Sequence, residues 1–248
     1  MASVEIIDAG QHAPTDLTLA SAGIAENSSA GTLVGLLSAT DPDAGSSFLY
    51  VLVAGSGGND VDNGLVEIIG NQLKVKAGAL INFEANPFLN FNIQVTDNGS
   101  PALSFVKAVT VSVLNANEAP TGISIFIAAI LENSAGGTVI SSLSASDPDA
   151  GSLFSYALVP GSGGSDADNS LVEIVGSQLK IKAGALIDYE TNPFLNLNIQ
   201  VTDNGTSALS FTKAVTVNVL NINENPIDLA ASSMRWWLGL MAMMPTMV

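Results

Sequence analysis

Apolar and polar residues alternate along short runs of this chain. Phe91, Ile93 and Val95 alternate with Asn92, Gln94 and Thr96, and Val109, Val111 and Val113 with Thr110 and Ser112. A period of two puts successive side chains on opposite faces, so each run predicts a strand with one face on a core. Further runs rich in Val, Ile, Thr and Phe are Leu17–Ile24, Thr32–Ala39, Phe48–Val53, Leu65–Ile69 and Gln72–Lys76. Gly, Asp, Asn and Pro separate them, as turns require. No run keeps a helical period, and none approaches the length of a membrane span.

The same pattern occurs twice. Leu114-Asn115-Ala116-Asn117-Glu118-Ala119-Pro120 returns as Leu220-Asn221-Ile222-Asn223-Glu224-Asn225-Pro226, displaced by 106 positions (220 minus 114). About two-thirds of the positions aligned at that offset are identical, which marks a tandem repeat rather than a compositional bias. The predicted fold is all-β: two tandem seven-stranded antiparallel sandwiches of immunoglobulin-like type. Residues 1–12 form an N-terminal extension, 13–119 module one and 120–225 module two. Residues 226–248 begin a third copy, which gives way at Ser233 to a Met- and Trp-rich stretch. That tail matches neither strand nor linker and reads as an out-of-frame or truncated end. The other reading is a short membrane-surface or partner-binding segment.

Charge narrows the chemistry. Seven Lys and Arg face twenty-three Asp and Glu, a formal charge of −16, which argues against nucleic acid and anionic membranes as partners. Absent cysteine excludes disulfides and thiolate sites. The single His12, in the extension and without an evident partner, is expected to be incidental. Met1 to Gln11 shows no signal peptide, so export of the parent protein would make this chain an internal piece of it.

The acidic residues recur once per module in five places. These are Glu26 and Glu132; Asp41-Pro42-Asp43-Ala44-Gly45 and Asp147-Pro148-Asp149-Ala150-Gly151; Asn82-Phe83-Glu84 and Asp188-Tyr189-Glu190; Asp97-Asn98-Gly99 and Asp203-Asn204-Gly205; and the two joints. Each of the Asp-Gly segments is a good turn by itself. A sandwich gathers its loops at two poles, however, and carboxylates gathered there repel one another unless cations neutralise them. Six to eight hard oxygens are what Ca2+ takes.

In this order, the motifs resemble the calcium motifs of cadherin repeats over about residues 13–226. The shortened joint is similar to the cadherin-like modules of large bacterial surface or secreted proteins. The resemblance implies calcium between consecutive modules. One complete junction would use Glu26 and Glu84, then Asn115, Asn117 and Glu118 from the joint, then Asp147, Asp149 and Asp203. Half junctions would be Asp41, Asp43 and Asp97 on one side, and Glu132, Asp188, Glu190, Asn221, Asn223 and Glu224 on the other. Asn82 and Asn115 stand where that family usually has Asp, and the joint is one residue short, which leaves two or three ions. Asn59-Asp60-Val61-Asp62-Asn63 and its copy Ser165-Asp166-Ala167-Asp168-Asn169 read as flexible turns rather than separate calcium sites.

Function follows as an extracellular or cell-surface calcium-stiffened adhesion and spacer rod. Its partners would be neighbouring repeats and a protein or polysaccharide ligand, without nucleic acid or membrane insertion. A polysaccharide-binding accessory module is the alternative, with Tyr50, Tyr156 and Tyr189 as the aromatic residues on offer. An enzyme is not expected. Glu84 and Asp97 could be paired as glycosidase carboxylates, but there is no catalytic His and no nucleophile set.

Overall fold

The computed structural model describes residues 10–126 and 129–224. The third-repeat start and the Met- and Trp-rich tail therefore lie outside the described residues. The chain divides into two compact units, 1–118 and 119–248, each with its own core.

In the first unit, β1 (Asp16–Ala20), β3 (Leu33–Thr40), β5 (Val66–Ile69) and β6 (Gln72–Val75) form one sheet in the order β1-β3-β6-β5. The second sheet, β2-β8-β7-β4, contains β2 (Ile24–Ala25), β4 (Leu49–Leu52), β7 (Phe88–Thr96) and β8 (Ser104–Leu114). The second unit repeats this plan with β9 (Gly122–Ile125), β10 (Ala129–Leu131), β11 (Val139–Ser146), β12 (Ser155–Leu158), β13 (Val172–Val175), β14 (Gln178–Ile181), β15 (Phe194–Thr202) and β16 (Ser210–Leu220). Its sheets run β13-β14-β11-β9 and β10-β16-β15-β12.

Alternation decides the layers. Leu89, Phe91, Ile93 and Val95 of β7 are buried, and with Leu17, Leu37 and Leu73 from the facing sheet they form the first core. The run Leu17–Ile24 departs from the single strand expected. Gly23, at φ +100, turns the chain, so β1 pairs antiparallel with β3 while β2 crosses to the other sheet and runs parallel to β8. A side chain is disfavoured at that φ, and a Cβ would lie 3.0 Å from the Ser112 carbonyl oxygen. This crossing matters for the site, because it delivers Glu26 to the end of the β8 sheet.

Candidate functional site: two acidic poles in each module

β8 separates the acidic residues of module one into two groups. Asp97 lies just before it and the joint just after it, so its eleven residues hold the groups roughly 35 Å apart.

At the pole where β8 ends, one carboxylate oxygen each from Glu26, Glu84 and Glu118 lies within 4.8 Å of the others. Glu26 is only 3% exposed. It accepts the N–H of Phe83 at 3.0 Å and of Ala116 at 2.7 Å, tying strand end, turn and joint together. Asn27, at φ +56, donates its amide to Glu118 Oε1 at 3.0 Å. Asn82 accepts the Ala85 N–H, and Asn115 is exposed beside the half-buried Asn117. Desolvation, then the charges of Glu26 and Glu118, raise the Glu84 carboxyl above its ordinary pKa.

Module two repeats this pole with one more acid. Glu132, Asp188 and Glu190 bring an oxygen each within 4.8 Å. Glu132, 1% exposed, accepts the Tyr189 N–H at 2.9 Å and the Ile222 N–H at 2.6 Å, and those bonds, Ile222's first, lower its pKa. Asp188 is lowered by the Thr191 hydroxyl and then the Thr191 N–H. Glu190's own N–H pulls its carboxyl down, but desolvation and the charges of Glu132 and Glu224 prevail and raise it. Asn133 holds Glu224 at 2.6 Å and Asn221 holds Glu190 at 2.7 Å, while Asn223 is exposed.

At the opposite pole of module one, the Asp43 N–H donates to Asp41 Oδ1 at 2.7 Å, and the Gly99 and Leu103 N–H groups donate to Asp97 Oδ1. Asn98 accepts the Ser47 N–H, which draws the two loops together into a cleft lined by Gln11, Asp43 and Asp97. Asp41 Oδ2 and Asp97 Oδ2 are buried and receive no hydrogen bond. In module two Asp147 Oδ2 is in the same condition. Asp149 bonds its N–H to Asp147 Oδ1, and Asp203 is buried and accepts the Gly205 and Leu209 N–H groups. A buried carboxylate oxygen without a donor is costly unless a cation meets it. An all-oxygen set of this kind fits a hard ion such as Ca2+.

His12 is not incidental. Its N–H donates to Asp43 Oδ2 at 2.8 Å, and its ring Nδ1 lies 3.0 Å from Asp43 Oδ1. Those two contacts, the backbone one first, lower the Asp43 pKa. At the repeat offset of 106, His12 stands where the joint that ends module one has Glu118, and Gln11 where it has Asn117.

The segments around Asp62 and Asp168 are turns, but tightly held ones. Asp62, 6% exposed, accepts the Asn86 amide at 2.8 Å and the Asn90 N–H at 2.7 Å. Asp168 makes the same bonds to Asn192 and Asn196, at 2.6 and 2.7 Å. Both carboxylates are occupied within the fold.

The two alternative functions lose their geometry. Tyr50 is buried and Tyr156 packs on the second core, so only Tyr189 of the three has a substantial exposed face. Glu84 and Asp97 lie at opposite ends of β8, beyond the roughly 5–9.5 Å of a glycosidase pair.

Two sandwiches with switched first strands and acidic poles are similar to cadherin domains. Protein comparison agrees. Human protocadherin gamma-C4 is 27% identical over 230 residues, which cover 90% of this chain and 24% of that protein. Human cadherin-related family member 2 is 32% identical over 196 residues, covering 75% of this chain and 14% of that protein. Among solved structures, the protocadherin gammaB4 extracellular domain superposes with a TM-score of 0.58 at 27% identity, over 86% of this chain and 34% of the other. No protein-family model matches the sequence. The chain spans a quarter or less of the length of these curated relatives. The matched part of protocadherin gammaB4 is its extracellular domain. Among the described residues no helix is long and apolar enough to cross a membrane.

Proposed function

We propose that the chain is a calcium-binding spacer and adhesion module of a larger surface or secreted protein, of the bacterial kind that the shortened joint resembles. Modules one and two correspond to 13–119 and 120–225. The convergence of Glu26, Glu84 and Glu118, repeated by Glu132, Asp188 and Glu190, carries this reading. Ca2+ would supply the positive charge that lets these carboxylates share a pole. Glu26, Glu84, Asn115, Asn117 and Glu118 would hold it with Asp147, Asp149 and Asp203 of the next module. Asp41, Asp43 and Asp97 would serve an upstream neighbour. Glu132, Asp188, Glu190, Asn221, Asn223 and Glu224 would serve a downstream one. Neighbouring repeats and a protein ligand on a cell surface are the partners. Ion binding then restricts the hinge at each joint, so stiffness reports external calcium.

Small-angle scattering tests it. Calcium is expected to change the profile in the manner of a stiffened hinge, and chelator to reverse the change. Superimposable profiles in calcium and chelator would overturn the reading.

A further inference from the structure

The pole that opens module one contains the chain's single imidazole. At the repeat offset the two later joints have Glu118 and Glu224 where this one has His12, so a nitrogen donor replaces an oxygen donor here alone. Two backbone contacts fix the segment that carries it. The His12 N–H donates to Asp43 Oδ2 at 2.8 Å, and Gln11 Oε1 accepts the Ser100 N–H at 3.0 Å. Together they strap the entry segment to the 41–45 loop and to the loop that follows β7. A Cβ at Gly99 would meet the Gln11 side chain, for which glycine leaves room.

The strap sets the ring against a carboxylate, with Nδ1 3.0 Å from Asp43 Oδ1. Two donors on a tetrahedral ion, each bonded at about 2.0–2.1 Å, stand about 3.3 Å apart, so this pair is already close to the spacing of a shared ion. Nearby are two carboxylate oxygens that the fold leaves without a donor. Asp97 is 7% exposed; its Oδ1 takes the Gly99 and Leu103 N–H groups, whereas its Oδ2 is buried and unpartnered. Asp41 Oδ2 is buried and unpartnered too. Asp43 lines one cleft with Gln11 and Asp97 and an adjoining one with Asp41. Among the described residues, three ligating side chains converge within 4.8 Å only at the Glu26 and Glu132 poles, so here the third ligand swings in from Asp97 or Asp41.

We infer that this pole binds a divalent ion of the zinc type in preference to Ca2+, with His12 Nδ1 and Asp43 Oδ1 as its first ligands and the buried oxygens of Asp97 and Asp41 completing the set. Ca2+ takes oxygen ligands, and an imidazole is a poor substitute for one of them. Zn2+ binds imidazole and carboxylate together. On binding, the contact between ring and carboxylate gives way to a bond from each to the metal, and any proton on the ligating nitrogen is released. A hydrogen bond between His12 and Asp43 alone satisfies those two groups and leaves the Asp97 and Asp41 oxygens bare, whereas an ion serves all four. The inference rests on the proposed function only in treating this pole as a cation site. The Glu26 and Glu132 poles, with oxygen donors only, stay assigned to Ca2+.

Nitrogen-15 NMR of the whole chain reads this directly, because imidazole signals can come only from His12. Zn2+ is expected to shift both ring nitrogens and to go on doing so in excess Ca2+. Calorimetric titration with Zn2+ should show binding weakened about tenfold or more in His12→Ala, since even the outer partners of a metal site are worth that much. His12→Glu, which restores the acid of the other joints, should lose zinc to the same extent. The His12 side chain is 40% exposed, so both variants are expected to melt as the native chain does. A ring that ignores Zn2+, a response that excess Ca2+ abolishes, or a His12→Ala chain that binds Zn2+ as the native chain does would overturn the inference. Titrating the His12→Ala chain with Ca2+ separates the two readings. Calcium binding that survives the substitution belongs to the other poles, and its absence from the native chain would defeat the calcium reading while the zinc result stood.

Discussion

Glu26 and Glu84 sit in the same acidic pole under different constraints. Glu26 is buried, and one backbone N–H on each oxygen fixes its carboxylate in place while leaving a lone pair on each for an ion. Glu84 is exposed, and desolvation and its acidic neighbours raise its pKa. Raised means that the folded state holds a proton more readily than the unfolded chain, so charged Glu84 works against folding above its folded pKa. Glu84→Gln is therefore expected to raise the melting temperature in chelator and to shrink the further rise caused by calcium, both read by calorimetry. Calcium affinity should fall as pH drops through the raised pKa values of Glu84 and Glu190, since protons then compete for the same oxygens. Asp62 is a different acid. Asp62→Ala leaves the Asn90 N–H and Asn86 amide without their acceptor and is expected to cost about 2–3 kcal/mol in denaturant unfolding, with calcium binding unaltered. Core residues show compensation at this scale: Phe91 becomes Leu197, while Val34 and Val75 become Ile140 and Ile181. Volume moves within each core rather than leaving it.

The strands were largely legible from alternation, because a half-buried strand writes its burial directly into its sequence. The division of Leu17–Ile24 between two sheets was less so, since apolar residues continue across it and Gly23 alone marks the break. β9 shows how one residue shortens an element. Gly35 lets the Ala20 carbonyl approach β3, where a Cβ would lie only 2.7 Å from that oxygen. Module two has Ser141 there; its hydroxyl accepts the Phe126 N–H, and β9 ends at Ile125. Gly35→Ser in module one is accordingly expected to release the end of β1, seen as faster hydrogen exchange at Ala20, and to cost about 1–2 kcal/mol. The acidic motifs were legible as a set, because the repeat showed the same residue types at the same offsets. Which acids are framework and which remain available for an ion was not, since hydrogen bonding to N–H groups far along the chain leaves no local trace. The His12–Asp43 contact was hidden for the same reason, as thirty-one positions separate the two residues.

At the scale of the molecule, acidity and fold are one problem. Two sandwiches of ordinary core carry a surplus of carboxylates, and the loops collect many of these at the poles. The extra acid at the second module's Glu132 pole, where Asp188 replaces Asn82, predicts that this pole keeps more of its calcium affinity when joint residues are altered. Calorimetric titration of the whole chain with calcium tests the central claim most directly. The account predicts saturable binding in the ~0.1–1 mM range usual for extracellular modules, at least tenfold weaker in the double variant E84Q/E190Q. A chain that binds no calcium in that range, or a double variant that binds as the native chain does, would contradict it.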